Sequence, residues 1–234
     1  MHLKVLPATA KDLDQVSTVY GPETGDLVAP ALAICWHIEP QDLEAAKRRA
    51  QWSYKQQLAF LQPRVDPTVR LMKVIDTDAP AGKDIVALGR WHEYPHGYGA
   101  HGDAETTTKL WEGDMTGLEV KEFNTALYTN LLGELFDKRR EPERFGTGSQ
   151  WVLTTLATRE PYRRKGAGGM ILGWGLEQAR KAGVPAFLEA AVGAKHLYES
   201  HGFKEIQKAS IDCSDSGMPG VVVELAIMRA DPGT

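Results

Sequence analysis

Cysteine is scarce in this chain: Cys35 and Cys213 are the only two among 234 residues. They lie far apart and form no C-x-x-C pair, so neither a disulfide framework nor a zinc ribbon is indicated. Asparagine is equally rare; Asn124 and Asn130 are the only two, and neither begins an N-x-S/T sequon. No apolar run is long enough to cross a bilayer. The longest near the start, Leu27 to Trp36, is interrupted by Pro30 and lacks the positively charged flank of a secretory leader. An excess of basic charge is also missing. With 27 Lys and Arg against 31 Asp and Glu, the net charge of −4 makes no general case for nucleic acid or an anionic membrane as partner. Internal repeats and low-complexity tracts are absent. Together these absences lead to the expectation of a cytoplasmic protein.

What is present is an ordinary globular composition, 42% hydrophobic and 25% charged residues. At 25.8 kDa such a chain buries about 70% of its unfolded surface, enough for one sizeable core. A single domain over residues 1–234 is therefore expected.

The N-terminal half reads as follows. His2 to Pro7 alternates like a strand, and Lys11 to Tyr20 reads as a short helix. Residues 21–40 have no clear period. Pro40 to Leu61 is a helix pattern with Leu43, Trp52 and Leu58 as inward anchors. Arg70–Asp76 and Ile85–Trp91 are strand-like and are separated by turn residues, which predicts a hairpin. Residues 94–118 form a long glycine- and acid-containing loop, and long loops in compact domains often carry function. Leu118 to Arg140 has helical period and basic residues at its end.

In the C-terminal half, Trp151–Thr158 is strand-like, Met170–Ala182 helical, Ala186–Ala190 a short strand and Gly193–His201 a second helix. Lys204–Ile211 and Val221–Met228 read as a closing strand pair. The alternation indicates a mixed α/β fold.

Between the strand at 151–158 and the helix after it stands Tyr162-Arg163-Arg164-Lys165-Gly166-Ala167-Gly168-Gly169. A helix N-terminus presents unpaired backbone N–H groups and the positive end of the helix dipole, and glycines let an anion approach that backbone closely. Three cationic side chains add charge at the same point. The run fits no Walker A motif, and the Rossmann fingerprint fails because Ile171 stands where a third glycine is needed. It does fit R-x-x-G-x-G, through Arg163, Gly166 and Gly168.

That pattern, followed by Phe187-Leu188-Glu189-Ala190-Ala191 and then Leu197-Tyr198-Glu199-Ser200-His201-Gly202-Phe203, resembles motifs A and B of the GNAT superfamily of N-acetyltransferases. The resemblance covers about residues 151–206, and the stretch ending in Gly89-Arg90-Trp91 is similar to the family's central strands. It implies an α/β (mixed α+β) fold with a mostly antiparallel sheet of six to seven strands, flanked by helices, in which one parallel pair splays apart. It implies an acetyl-CoA-dependent N-acetyltransferase using acetyl-CoA as co-substrate and no metal. The pantetheine arm would run along Leu156, Ala157 and Thr158. Arg163, Arg164, Lys165, Gly166, Ala167, Gly168 and Gly169 would hold the pyrophosphate, with Arg159 adding charge.

Tyr198 matches the family's general acid. Amine attack on a thioester expels a thiolate, which a nearby phenol can protonate or stabilise. No acyl-enzyme is required, so direct transfer is expected. Some relatives place a glutamate base on the strand before the phosphate loop. Here that strand carries Thr154 and Thr155 but no acid, which leaves Glu189, His92 and Glu93 as substitutes. Relatives also often carry Ser or Asn where Ala191 or Val192 stands.

The missing strand acid keeps a second class open, an acyl-CoA-binding sensor or scaffold without catalysis. The acceptor is expected to be a primary amine on a small molecule, with a protein lysine as the other kind. Its specificity would come from residues of about 20–62 and 92–120. The acids Glu105, Glu112, Asp114, Glu119 and Glu122 are either solvated or serve to attract a cationic amine. His92, His96 and His101 do not make a metal site, because Pro95 breaks any helix that would align the first two and no acid or cysteine set completes it. Cys35, beside Trp36, reads as a small buried hydrophobe, and Met170, Trp174 and Leu176 read as core.

Overall fold

The computed structural model describes residues 1–15, 35–37, 42–61, 67–98, 121–141 and 145–233. Seven strands form one sheet: β1 (Leu3–Pro7), β2 (Val69–Asp76), β3 (Ile85–Tyr94), β4 (Gln150–Thr158), β5 (Ala186–Ala191), β6 (Lys204–Asp212) and β7 (Val222–Ala230). Their spatial order is β1-β2-β3-β4-β5-β7-β6. Every neighbouring pair is antiparallel except β4–β5, which is parallel. Among the described residues four α-helices accompany them: α1 (Leu43–Phe60), α2 (Thr125–Arg140), α3 (Ala167–Ala182) and α4 (Lys195–Glu199). The mixed fold with one parallel pair is the one expected from the sequence.

Element positions agree closely with the sequence pattern, and the differences have local causes. The hairpin strand β3 runs on to Tyr94 because it stays paired with β4 over its whole length. α2 starts at Thr125, where the Asn124 side chain accepts a hydrogen bond from Leu127 N–H and caps the helix; the predicted residues 118–120 lie outside the described ones. α3 begins three residues earlier than its apolar pattern, inside the glycine-rich turn. The helix predicted at 193–201 divides into a 3₁₀ turn, Val192–Ala194, and the short α4. Residues 16–20 of the first predicted helix, and 99–118 of the long loop, fall outside the described residues. Leu43 does not turn inward: it is 72% exposed on the first turn of α1, and Ala45 takes the buried position.

The sheet is covered on both faces. On one face lies α3, whose Ala167, Ile171, Gly175 and Ala179 recur every four residues and are all buried. They join Trp91, Leu153, Leu188 and Met228 in the largest core cluster, with Met170, Trp174 and Leu176 packed at its margin. The contact is close. Trp91 Nε1 donates to Ile171 O at 3.2 Å, and a Cβ at Gly175 would fall inside the Trp91 indole. On the opposite face α1 packs Tyr54 and Leu58 over Leu71, Leu88 and Ala157. α2 packs Leu135 and Phe136 over Val152, Phe187 and Ile227, and its Leu127 and Leu131 join Cys35, Cys213 and Ile211. Cys35 is wholly buried, and burial pushes its thiol up to about 12.

Gly175 and Gly173 provide a matched test of this packing. Alanine in an exposed helical position is favoured over glycine by about 1 kcal/mol, and Gly173 is exposed with open space around it. Gly173→Ala should therefore raise stability by up to that amount. Gly175→Ala should lower it by roughly 1–3 kcal/mol, because overpacking against Trp91 outweighs propensity. Urea denaturation midpoints of the two variants check both signs.

Candidate functional site

β4 and β5 part company early. Their register includes only Trp151↔Ala186, Val152↔Phe187 and Leu153↔Leu188. β4 then continues to Thr158 and β5 to Ala191 without pairing to each other. The cause is visible in the neighbouring ladder. Arg90 pairs with Thr155 and Trp91 with Leu153, so Thr154 is an extra residue, a β-bulge. A bulge bends its strand and increases its twist, and this one sits where β4 leaves β5. The Thr154 hydroxyl donates to Arg90 O at 3.2 Å, and Arg90 donates back through Nε to Thr154 Oγ1 at 3.0 Å and through Nη2 to Thr155 Oγ1 at 3.2 Å. The β5-facing backbone edge of β4 beyond Leu153 thus has no strand partner among the described residues.

That edge leads to the basic turn. Arg159 N–H and Nε donate to Val86 O and Ile85 O, both at 2.8 Å, and tie the end of β4 to β3. A 3₁₀ turn, Glu160–Tyr162, follows. The Tyr162 hydroxyl donates to Asp76 Oδ2 at 3.2 Å and anchors the loop to β2. Arg163, Arg164 and Lys165 are exposed, and Arg163 Nε donates to Thr158 O at 3.3 Å. Two residues are left-handed, Arg164 at φ 59° and Gly166 at φ 90°. For Arg164 this is a sparsely populated conformation for a residue with a side chain, of the kind that collects at ligand clamps. Met170 N–H to Gly166 O, at 3.1 Å, is the first bond of the α3 ladder. The amides of Ala167, Gly168 and Gly169 precede it and have no intrahelical acceptor. Gly168 lies against Thr158; a Cβ there would stand 3.3 Å from Thr158 Oγ1. The end of the open β4 edge and the start of α3 are therefore adjacent, and small residues keep the space between them clear.

Tyr198 belongs to the same packed cluster as Leu153 of β4, Ala190 of β5 and Ala167 of α3, so it stands on the α3 face beside the free part of β5. It is 9% exposed, and its hydroxyl has no hydrogen-bond partner among the described residues. Its ring meets Phe203 edge-on, centroids 6.2 Å apart. Burial without a compensating bond pushes the phenol up to about 12.

On the opposite face, between the parts covered by α1 and α2, runs a polar strip. Along β3, Leu88, Arg90, His92 and Tyr94 alternate onto this face, with Thr154 and Thr155 alongside. His92 is buried; its Nδ1 lies 2.9 Å from Thr68 Oγ1, and its ring stacks on Tyr94 at 5.6 Å. Glu93 is paired with Arg70 at 2.7 Å. Glu189, expected as a possible base, is engaged by an arginine. Arg139, at the end of α2, donates through Nε to Oε1 at 2.6 Å and through Nη2 to Oε2 at 2.7 Å, and both side chains are 8% exposed. Burial works against the arginine's charge, but the field and hydrogen bonds of Glu189 outweigh it and push the guanidinium upward. Both oxygens of the carboxylate expected as a possible base are therefore held by a guanidinium.

The structure thus brings together Leu156–Thr158, the 163–169 turn and the neighbourhood of Tyr198. His92, Glu93 and Glu189 stand apart on or beside the other strands. The sequence pattern did not reveal the Arg139–Glu189 pair or the Tyr162–Asp76 anchor. A lone glutamate among Phe187, Leu188 and Ala190 was the one available signal for the first. Glu122 is bonded to Arg48 of α1 rather than solvated, while Glu105, Glu112, Asp114 and Glu119 lie outside the described residues, as does His101. Among the described residues no three His, Cys, Asp or Glu side chains converge, and no helix is long and apolar enough to cross a membrane.

Comparison with known proteins gives this geometry a context. Residues 131–203 match the family model of the acetyltransferase (GNAT) family. No curated protein matches the chain by sequence. Among solved structures, the "histone acetyltransferase HPA2 and related acetyltransferase" of Corynebacterium glutamicum is 21% identical, with 99% of this chain and 97% of that one covered and a TM-score of 0.58. Arylalkylamine N-acetyltransferase 2 of Aedes aegypti is 14% identical over 99% and 100% of the two chains, with a TM-score of 0.59. The PaiA N-acetyltransferase of Thermoplasma acidophilum, solved with coenzyme A, is 12% identical over 99% of each chain, with a TM-score of 0.50. Residues 131–203 are accordingly similar to the GNAT acetyltransferase family, within a chain whose fold resembles that of these solved structures.

Proposed function

We propose that the protein transfers an acetyl group from acetyl-CoA directly to a primary amine, on a small molecule in the first instance, with a protein lysine as the other acceptor kind. The observation that carries this reading is the open β4 edge leading straight to the bare amides of α3. The chain's residues fit the donor. The unpaired β4 backbone at Leu156–Thr158 suits the amide-bearing pantetheine arm. The left-handed Arg164 and Gly166 and the α3 amides through Gly169 form a concave set of donors suited to a diphosphate, with Arg163, Arg164 and Lys165 as cations around it. Acetyl-CoA would supply an acyl carbonyl already activated as a thioester.

Tyr198 holds its proton tightly. A phenol near 12 giving that proton completely to a thiolate of ordinary pKa, near 8.5, would go uphill by about 5 kcal/mol. Its contribution is then a hydrogen bond that strengthens as charge develops on sulfur, rather than a proton freely released in advance. The acceptor amine would approach from the polar strip on the other face. There His92, buried beside Thr68, is the base candidate on that strip.

Tyr198→Phe should lower kcat by about 100-fold, as removal of a single charge-stabilising donor does elsewhere, with coenzyme A affinity little changed. Unchanged kcat would remove Tyr198 from the mechanism. Gly168→Val should abolish coenzyme A binding in calorimetry while leaving the melting temperature close to wild type; retained affinity would mean that the cradle lies elsewhere. A thiol-release assay over a panel of amines tests the reaction itself. Binding of acetyl-CoA with no release from any amine would favour the sensor reading.

The raised phenol also sets a pH dependence. Its folded value, about 12, lies above the unfolded value of 10.0. The stability tied to the neutral form is therefore complete below the unfolded value and is lost as pH rises through the folded one. The Tyr198-dependent part of kcat should stay flat up to about pH 10. A decline below that point, seen in wild type and absent from the residual activity of Tyr198→Phe, would contradict this assignment.

A further inference from the structure

Glu189 is the first residue of β5 beyond Leu188, the last to pair with β4, through Leu153. On its other side β5 remains paired with β7, through Glu189↔Ile227 and on to Ala191↔Leu225. At this level the strand has lost one of its two neighbours, and the Arg139 fork closes on it here. Arg139 is itself held in place. Its guanidinium carbon lies 5.7 Å from the ring centroids of Tyr98 and Phe136 and 5.9 Å from that of Phe145. Phe145 stacks on Phe187 of β5 at 5.0 Å, while Tyr98 meets Tyr94 of β3 edge-on at 5.1 Å. The guanidinium therefore sits in an aromatic nest that touches β5 on one side and β3, the partner of β4, on the other.

A buried ion pair contributes little net stability, because desolvation consumes most of the Coulombic gain, and apolar replacement of both partners is often neutral or better. A pair of this geometry at this location has a different consequence: a bidentate fork fixes orientation as well as distance. We infer that Arg139 and Glu189 are positioning residues that set how far β5 stands from β4 at the root of the splay, and thereby the fit of the cleft to the pantetheine arm. This inference rests on the donor reading above and extends it to the face that the donor does not occupy. The covalent chemistry is unaffected; Arg139 and Glu189 act through the strand.

The test uses the full chain with Arg139→Met, Glu189→Leu and the double variant. Each single change leaves a buried charge unpaired and should lower the melting temperature by roughly 10 °C; the double change should restore most of it. Two further readouts separate positioning from bracing. Hydrogen exchange at residues 189–191 and 154–158 should be at least about tenfold faster in the double variant than in wild type, with α3 unchanged. Coenzyme A affinity should be about tenfold weaker. Restored stability with native exchange and native affinity would overturn the inference. So would lost turnover with both readouts native, since Glu189 would then be acting in the chemistry itself. Faster exchange with native affinity would also overturn it, reducing the pair to a brace. If wild type binds no coenzyme A, the donor reading fails, while the exchange measurement still decides whether the pair holds the strand.

Discussion

Parallel pairing between β4 and β5 stops after Leu153 and Leu188, and much of the molecule follows from that interruption. Backbone N–H and C=O groups inside a sheet are costly to leave unsatisfied. A strand that leaves its neighbour midway must therefore meet water, a ligand or another segment. Here the bulge at Thr154 turns β4 away, the Arg90–Thr154–Thr155 bonds hold the bulge, and the glycine-rich start of α3 meets the freed edge without filling it. The open edge and the open helix end flank the gap left where β4 and β5 part, and among the described residues neither has a main-chain partner.

Holding that crevice open takes rigid packing behind it. α3 is pressed onto the sheet closely enough that Gly175 has no room for a side chain, and the Trp91 indole bonds to the α3 backbone. The end of α3 that bears the bare amides is thereby set relative to β4. The loop entering it is tied at Tyr162 to Asp76 and at Arg159 to β3. Rigid elements therefore flank a turn in which Arg164 adopts a left-handed backbone.

The two faces of the sheet divide the chemistry. Tyr198 and the start of α3 share one face of the sheet, in apolar surroundings that keep the phenol neutral. The other face carries arginine, histidine, threonine and the Arg139–Glu189 pair between the coverings of α1 and α2. A reaction joining a donor on one face to an acceptor on the other would pass through the gap between β4 and β5. That is the simplest account of why the sheet is split there.

Much of this was legible in the chain itself. Period-two and period-four apolar patterns located the strands and helices, and the R-x-x-G-x-G run with Leu197-Tyr198 and Gly202-Phe203 marked the glycine-rich turn before α3 and the short helix of the phenol, because local backbone geometry depends on which nearby residues are glycine or apolar. Leu43 misled, because its period suggested burial while its place on the first turn leaves it in solvent. Glu189 was incompletely legible for a different reason. Its chemistry depends on Arg139, fifty residues earlier and on another element, and no local pattern records such a partner. By itself the sequence determined the elements, their order and the glycine-rich turn before α3, all of which follow from short-range sterics and solvation. Only the tertiary structure decided where β4 and β5 part, which carboxylate is already paired, and which phenol is buried without a partner, because each of these is set by neighbours that folding brings together from distant parts of the chain.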